Sequence, residues 1–299
     1  MNVLLLHNRT AGDQEPSPGR LLTLLRRAGY EPRYFDLHPA LKDPTTLPAA
    51  SMVVVAGGDG SVREAALKLA GRGMPLAVLP LGTANNIARS LGIAGSPAEI
   101  IDSWHHGRNV RFDIGKASGP WGEERFVEGV GVGLFARIID ILGRMEVPKA
   151  HEDAERPHRV ASDLRSTTVL AHEMAPVLVE MNCEGEHTTG QYLLLEIMNI
   201  GRVGAGIELA EADVSDRQLD VVSAQLDDRE KLLESLRDVA KGAPTPARLA
   251  SRRCPTIELI LPPCEFRIDD RVQLIPNPAR VRVGFSQETV EFVVPADRS

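Results

Sequence analysis

The residues of this sequence best suited to chemistry are the glycines, carboxylate and hydroxyl of one short stretch, GGDGS at residues 57–61. An apolar run precedes the stretch and a helical spacing of apolar residues follows it, which predicts a strand, a tight loop and a helix. Glycine allows positive φ and the approach of a bulky anion, and the N–H groups at a helix start attract negative charge. Asp59 would repel a phosphate unless a divalent cation lay between them, and Mg²⁺ prefers such oxygen ligands. The stretch therefore predicts a site for a magnesium-bound nucleotide.

A second stretch follows the same plan. Residues 75–79 form another apolar run, a glycine turn follows at Gly82–Asn86, and Gly92 ends the short helix after it. The loops after consecutive strands of a parallel sheet lie at one edge, so we expect Gly57–Ser61 and Gly82–Asn86 to face one crevice. The alternative for the first stretch is a plain turn in which Asp59 or Ser61 only caps the helix.

Together the two stretches resemble the catalytic domain of the diacylglycerol kinase family, which includes sphingosine and ceramide kinases and bacterial soluble lipid kinases. The family pattern GGDGT, with a Glu three residues after the Thr, is matched by residues 57–61 and Glu64, with Ser61 in place of Thr. The pattern P-x-GT-x-N-D-x-A-R is matched by residues 80–89, with Asn86 in place of Asp. NAD kinases and phosphofructokinases share the GGDG loop, so that loop alone does not identify the family. The resemblance is specific because both motifs occur and are found at this spacing.

The resemblance implies ATP and Mg²⁺ as cofactors and a catalytic role for Asp59, which would contact the metal through the nucleotide or water. The loop after the first strand resembles the family's N-P-x-S-G, with Arg9 in place of Pro. The residues implied to bind nucleotide are Asn8, Thr10, Gly57, Gly58, Gly60, Ser61, Glu64, Gly82, Thr83, Asn85 and Asn86.

The catalytic base is where the sequence departs most from the family. Residues 266–271 align with the family's D-G-E, whose Glu is usually assigned as the general base on the acceptor hydroxyl. With Asp269 at the family Asp, Asp270 takes the Gly position and Arg271 the Glu position. Arginine cannot accept a proton near neutral pH, so Asp270 is the candidate catalytic base. An altered substrate, a slow enzyme and a catalytically retired one all stay open.

Three further segments have weaker interpretations. Residues 213–222 resemble the family's D-G-x-L-D-V segment with Arg217 in place of Gly, and the resemblance makes Asp213 and Asp216 candidates to hold a structural cation. The glycines of residues 129–133 are interpreted as close packing of a strand on a helix, since G-x-G-x-G is not the dinucleotide pattern. The basic residues Arg248, Arg252 and Arg253 are interpreted as a solvated face, with a lipid head group as the alternative.

Composition limits the class of protein. With 299 residues, 43% of them hydrophobic, the chain is long enough for two domains. The formal charge of −7 argues against nucleic-acid binding and against standing attraction to anionic lipid, so we expect only transient membrane-surface contact. Its three cysteines show no paired spacing, so we expect no disulfide, no thiolate metal site and a reducing compartment. We expect a cytoplasmic protein, peripheral at the membrane; a homodimer stays open.

The order of elements predicts an α/β unit followed by an all-β one. Strands and helices alternate up to residue 108, which is typical of a three-layer α/β domain with a parallel sheet. From residue 109 the alternation indicates antiparallel pairing, in a sandwich-like substrate domain over 109–285. A last strand, within 286–299, could return to the first domain, and the active cleft would lie between the two. A polar loop is expected at 149–159 and a helix at 157–174.

These observations favour an ATP-dependent lipid kinase, acting with Mg²⁺ on a hydroxyl of a diacylglycerol-like or sphingoid lipid. A catalytically weakened or inactive homologue that binds nucleotide or lipid is the first alternative, supported by Asn86 and Arg271. A phosphotransferase similar to NAD kinases is the second, and a dinucleotide-dependent oxidoreductase is disfavoured because no G-x-G-x-x-G opens the chain.

Overall fold

The computed structural model of the protein describes residues 1–11, 16–144, 167–240 and 249–296. Gly12, which takes the position of the glycine in the N-P-x-S-G pattern, lies outside the described residues. So do Arg248, the loop expected at 149–159 and the first part of the helix expected at 157–174. The end of that expected helix, residues 167–173, is helical.

The elements are numbered along the chain. The strands are β1 (Asn2–His7), β2 (Glu31–Asp36), β3 (Met52–Gly57), β4 (Leu76–Pro80), β5 (Arg108–Gly119), β6 (Gly122–Phe126), β7 (Gly129–Gly133), β8 (Val177–Cys183), β9 (Glu186–Met198), β10 (Arg202–Val203), β11 (Ile207–Glu208), β12 (Leu219–Gln225), β13 (Ala250–Cys254), β14 (Ile257–Leu261), β15 (Cys264–Ile268), β16 (Arg271–Ile275) and β17 (Ala279–Val294). The helices are α1 (Pro18–Arg27), α2 (Leu37–Lys42), α3 (Asp59–Leu69), α4 (Asn86–Ser90), α5 (Pro97–Ser103), α6 (Leu134–Arg144), α7 (167–173) and α8 (Arg229–Ala240).

The chain forms two compact units. Unit 1 contains Met1–Ile114 and Gln287–Ser299, and unit 2 contains Gly115–Ser286. The chain therefore passes from one unit to the other within β5 and returns within β17. The sequence pattern places the first boundary after residue 108, whereas the structure divides later because β5 continues across the division as a single strand.

Unit 1 is built on a parallel sheet, as the sequence predicts. Its strands run in the order β17–β4–β3–β1–β2, and every neighbouring pair is parallel. The stretches Val3–Leu6 and Met52–Ala56 are buried throughout, which is typical of strands covered on both faces. From β1 the chain moves toward one edge of the sheet and from β3 toward the other, so right-handed crossovers put α1 and α3 on opposite faces. The order therefore reverses between β1 and β3.

Unit 2 is antiparallel, which confirms the second part of the predicted fold class. Its strands run in the order β16–β15–β7–β9–β8–β14–β17, and β12 pairs with β9 and β13. Successive side chains of a strand point to opposite faces, so Leu195 joins one apolar cluster with Phe266 while Leu194 joins another with residues of α6 and α8. None of the described helices is both long and apolar enough to cross a membrane.

The prediction of no disulfide is wrong. Cys183 at the end of β8 and Cys254 at the end of β13 are joined, with Cα atoms 6.1 Å apart. The two lie 71 residues apart in the sequence, and only the pairing of the strands between them brings them together. The expectation of a reducing compartment is based on the absence of paired cysteines. The disulfide removes that basis.

Candidate functional site

Three loops of unit 1 follow the carboxyl ends of adjacent strands. They begin at Asn8 after β1, at Gly58 after β3 and at Leu81 after β4. The strand order reverses between β1 and β3, and the crevice outside such a reversal is the usual ligand site of a parallel sheet. Topology alone therefore marks the position at which the sequence motifs lie.

Asn8 connects the first loop to the second. Its side-chain N–H donates to Ser61 Oγ over 2.8 Å, and its backbone N–H donates to Ala56 O over 2.9 Å. Its Oδ1 accepts from both the backbone N–H (3.0 Å) and the hydroxyl (2.8 Å) of Thr10. Ser61 is buried, whereas Thr10 is exposed. Asn8 therefore fixes the first loop against the first turn of α3.

Backbone contact joins the second loop to the third. A Cβ atom on Gly82 would lie 2.6 Å from the Cα atom of Gly58, closer than any real side chain could stand. The expectation of positive φ at these glycines is wrong: Gly58 has φ −87°, and the left-handed residue of this region is Asn85, with φ 51°. Asn85 Oδ1 accepts from Gly82 N–H (2.9 Å) and its side-chain N–H donates to Gly82 O (2.7 Å). These glycines serve the close approach of two loops.

Asp59 joins two helices. It is the first residue of α3, and its Oδ1 accepts from the backbone N–H of Ile87, in the first turn of α4, over 2.9 Å. The alternative in which Asp59 or Ser61 caps its own helix is wrong, because Gly58 is the N-cap and no side chain caps α3. Among the described residues, the second carboxylate oxygen of Asp59 has no hydrogen-bond partner. One oxygen is therefore structural, and the other can meet a ligand.

Three other expected nucleotide ligands lie in different surroundings. Asn86 is 2% exposed, so its side chain belongs to the interior, whereas Thr83 is exposed. Glu64 points toward α2, where its Oε2 lies 2.8 Å from Nδ1 of His38, and its Oε1 lies 3.4 Å from Lys68 Nζ. The nucleotide roles of Asn86 and Glu64 stay predictions, with no support from this geometry.

We expect Gly60→Ala to weaken nucleotide binding without weakening the fold. Gly60 is exposed, and a Cβ there would meet no atom within 4 Å, so only a bound group could collide with it. Loss of one charged hydrogen bond to phosphate would lower ATP affinity about tenfold or more. Calorimetric titration with ATP and a thermal unfolding curve measure the two effects.

Gly19→Ala is the matched control for Gly60→Ala. Gly19 is also the second residue of its helix, and a methyl group on its Cα atom would likewise meet no atom within 4 Å. Both variants should gain roughly 0.5 to 1 kcal/mol of helix stability, but only the change at Gly60 should reduce ATP affinity. Equal ATP affinity in the two variants would contradict a phosphate contact at Gly60.

A polar cluster beside these loops has no counterpart in the sequence analysis. Tyr34 Oη donates to Asp36 Oδ1 over 2.7 Å, and the Arg9 side chain lies 2.7 Å from the same carboxylate and 3.0 Å from the Tyr34 hydroxyl. Burial lowers the pKa of His7, and the charge of Arg9 lowers it further. Arg9, which stands where the family has Pro, therefore places its guanidinium next to Asn8, held by Tyr34 and Asp36. Only the pairing of β1 with β2 brings these side chains together.

In unit 2, the hairpin β15–β16 carries the candidate base. Ile268 pairs with Arg271, which leaves Asp269 and Asp270 as the turn, and Asp269 has φ 53°. The buried carboxylate of Asp269 accepts backbone N–H groups of residues 127–129 at 2.8 to 3.2 Å. Asp270 is exposed, and Arg271 forms an ion pair with Glu124. Asp269 is thus a structural anchor, and the base role of Asp270 stays a prediction.

The glycines of β7 make room for a buried ion pair. Gly131 lies between Arg267 on β15 and Glu196 on β9, and Arg267 Nε donates across it to Glu196 Oε2 over 3.1 Å. A Cβ on Gly131 would lie 2.5 Å from the Glu196 carboxylate carbon. Arg267 also donates to Asp269 O over 2.7 Å, which fixes the turn. The interpretation as strand-on-helix packing misses this ion pair.

Asp220→Asn should stabilise the protein at neutral pH. Asp220 is 6% exposed, its Oδ2 has no partner among the described residues, and burial raises its pKa to about 6. The folded state therefore holds the proton more tightly than the unfolded chain. Its stability is highest below the unfolded pKa of about 4 and falls as the pH rises to about 6, by about 2 to 3 kcal/mol.

Urea unfolding at about pH 4.5 and about pH 7.5 tests this expectation. The gain of Asp220→Asn over the wild type should be small at the lower pH and full at the higher. Asp227→Asn, at an exposed carboxylate, is the matched control. A gain of equal size at both pH values would mean that Asp220 is ionised throughout.

Hydrogen bonds and an ion pair within the protein engage three of the four carboxylate oxygens of the two candidate cation ligands. Asp213 Oδ1 accepts from the backbone N–H (2.9 Å) and hydroxyl (2.8 Å) of Ser215. Asp216 Oδ1 accepts from Gln218 N–H over 2.9 Å, and its Oδ2 pairs with Arg253. Neither belongs to a group of three metal-ligating side chains within the described ranges. The donor set does not fit a bound metal ion.

Comparison with known proteins places these features in context. Residues 2–117 match the family described as diacylglycerol kinase catalytic domain. A diacylglycerol kinase of Mycobacterium tuberculosis is 29% identical over 198 residues, which cover 64% of this chain and 60% of that protein. A Klebsiella pneumoniae protein named probable lipid kinase YegS-like is 28% identical over 234 residues, covering 72% of this chain and 71% of its own. This chain thus spans about three fifths of the mycobacterial relative.

Solved structures share the fold at low sequence identity. A diacylglycerol kinase from Bacillus anthracis has a TM-score of 0.64 and 15% identity, and the match covers 98% of this chain and 96% of that one. An NAD kinase from Archaeoglobus fulgidus, in complex with ATP, has a TM-score of 0.52 and 13% identity, covering 98% and 93%. At such identities the likeness concerns the fold alone.

Proposed function

This chain belongs to the diacylglycerol kinase catalytic-domain family through residues 2–117, and from that membership we propose that it transfers the γ-phosphoryl group of ATP to a hydroxyl group of a lipid. The acceptor we propose is diacylglycerol-like or sphingoid, reached by transient contact with a membrane surface. The observation that carries the proposal is the meeting of three loops at the reversal of the strand order in unit 1.

The loops supply what a polyphosphate requires. Among the first-turn N–H groups of α3, those of Ser61 and Val62 donate to Gly58 O (3.0 and 3.1 Å), so the groups offered to a phosphate are those of Asp59 and the exposed Gly60. A Cβ on Gly60 would meet no atom within 4 Å, so no side chain obstructs this position. Asn8 and Asn85 hold the loops in place through their own hydrogen bonds, so little reorganisation is needed on binding. Phosphoryl transfer depends mainly on positioning and on neutralising charge, and prepositioned backbone donors contribute to both.

The residues present fit a magnesium ion carried by the nucleotide. Mg²⁺ keeps several waters and takes one or two carboxylates together with phosphate oxygens. Asp59 offers one carboxylate oxygen, while Ile87 N–H fixes the other and so fixes the direction of the side chain. When bound, the ion would neutralise phosphate charge, and the part of Asp59 is to hold it in place.

The acceptor side of the proposal depends on the β15–β16 turn. Asp270 is its exposed carboxylate, and a lipid hydroxyl within hydrogen-bond reach could give it a proton. Asp269, the buried residue before it, is held by three backbone N–H groups, so the turn is rigid enough to position its neighbour. Arg271 is engaged with Glu124 and, being always charged, takes no proton.

One observation favours a second candidate, a homologue that binds nucleotide or lipid with little or no turnover. The residue at the family's base position is an arginine held in an ion pair with Glu124. A phosphotransferase similar to NAD kinases stays a third candidate, supported by a likeness of fold at 13% identity.

Incubation of the purified protein with γ-labelled ATP, Mg²⁺ and mixed micelles tests the proposal. Separate reactions would contain diacylglycerol, sphingosine, NAD or no acceptor, each with and without EDTA. We expect labelled lipid, no labelled NADP, and loss of label with EDTA. Labelled NADP alone would indicate the third candidate. ATP binding without a labelled product would overturn the kinase proposal in favour of the second.

A further inference from the structure

The segment that connects β11 to β12 contains two aspartates, and the side chain of each accepts a hydrogen bond from the backbone two residues further on. Asp213 accepts the N–H of Ser215, and Asp216 accepts the N–H of Gln218. Each interaction spans two residues and closes a turn. The turns hold two negative side chains three residues apart, and a positive charge near them would stabilise the segment.

Arg253 supplies a positive charge at this position. Its guanidinium pairs with Asp216 Oδ2, the oxygen not used by Gln218. Arg253 is half exposed and Asp216 about a quarter exposed, so the pair lies at the border of solvent.

The backbone that carries Arg253 is held on two sides. Arg253 pairs with Asp220 in the β12–β13 register, only a few residues after the second turn. The next residue, Cys254, is disulfide-bonded to Cys183 at the end of β8. Arg217, the other arginine of this region, extends over the ring of Phe285 at 5.2 Å and toward Ser286 O. Strand register and disulfide thus direct one guanidinium to Asp216.

We propose that the Arg253 guanidinium takes the place of a metal ion in this segment, so that unit 2 needs no divalent cation there. A carboxylate group satisfied by an arginine of the same chain cannot lose its cation to a chelator. The departure from the family pattern at Arg217 is then accompanied by an internal replacement for the ion. The inference is independent of the proposed kinase activity.

Thermal unfolding without nucleotide tests the proposal. The wild type should unfold at the same temperature in millimolar EDTA, MgCl₂ or CaCl₂. Arg253→Ser should unfold a few degrees lower, by about 2 to 4 °C for a loss near 1 kcal/mol in a chain of this size. Because Asp216 then loses the charge that neutralises it, CaCl₂ should restore most of the loss, with an apparent Kd of about 10⁻⁴ to 10⁻³ M.

Three further variants separate this role from a general loss of charge. Arg252→Ser is the matched control, because Arg252 is next to Arg253 in the sequence and its guanidinium pairs with Glu186 instead. The Arg252→Ser protein should show no response to CaCl₂. Arg253→Lys should behave as the wild type, because it keeps the charge. Asp216→Asn combined with Arg253→Ser should abolish the calcium response.

Two results would overturn the proposal. One is that CaCl₂ or MgCl₂ raises the unfolding temperature of the wild type and that Asp216→Asn removes this response. A metal ion would then bind beside Arg253. The other is an Arg253→Ser protein that unfolds at the wild-type temperature and ignores CaCl₂. If Arg253→Ser does not fold in EDTA, refolding in CaCl₂ supports the proposal, and failure to refold there counts against it.

Discussion

Asp59→Asn is expected to lower phosphoryl transfer by about 10²- to 10³-fold while the protein stays folded. Asparagine keeps a side-chain oxygen that can accept from Ile87 N–H, so the link between α3 and α4 persists. It loses the negative charge and with it the ligand for a magnesium ion. Initial rates at saturating ATP and lipid, together with a thermal unfolding curve, measure both parts of the expectation.

Asp59→Ala serves as the comparison for this variant. It removes the acceptor for Ile87 N–H as well as the charge, so it should also lose roughly 1 to 3 kcal/mol of stability. A protein with Asp59→Asn that turns over at the wild-type rate would show that Asp59 is only the link between two helices. Equal loss of stability in both variants would show that the amide does not replace the carboxylate.

Asp270→Asn is expected to lower turnover by about 10²- to 10⁴-fold, the contribution of a positioned general base. ATP affinity should change little, since the base contacts the acceptor rather than the phosphates. Steady-state rates with varied lipid and calorimetric titration with ATP measure the two quantities. If Asp270→Asn keeps the wild-type rate in a protein that phosphorylates lipid, the base lies elsewhere.

Arg271→Glu tests the opposite case, in which the wild type lacks a base. Turnover should then rise by a similar factor, but the new carboxylate would face Glu124, the present partner of Arg271. The double variant Arg271→Glu with Glu124→Arg keeps an ion pair between β16 and β6. It therefore tests the effect of a new carboxylate on turnover without the loss of hairpin stability that the single variant would cause. A rise in both variants would indicate a missing base, and no rise in either would favour Asp270 or a protein without turnover.

Features with a local signal could be predicted from the sequence. The strands before Gly58 and Leu81 follow from unbroken apolar runs, and the parallel sheet follows from their alternation with helices. The start of α3 at Asp59 is harder to predict, because the glycines suggest a loop that lasts until Val62. Element type was thus easier to predict than element boundary.

Contacts between distant residues could not be predicted. The reason for glycine at positions 58 and 82 is the approach of another loop, and no property of either stretch distinguishes this from positive φ. The bond from Ile87 to Asp59 and the disulfide between Cys183 and Cys254 arise only when strands pair. Residue types indicated the chemistry, and the fold decided which partner each side chain has.

The passage of the chain through β5 and β17 has a consequence for the order of synthesis. A ribosome releases residues 1–114 first, yet the strand that pairs with β4 is the end of β17, about 170 residues further on. Throughout that interval β4 presents an open row of backbone groups, a position at which sheets pair with other chains. Until Phe292 and Val293 emerge, the nascent protein is exposed to misassembly at the edge of β4. A chaperone that protects the nascent chain would need to cover this edge for longer than any part of the sheet that pairs earlier.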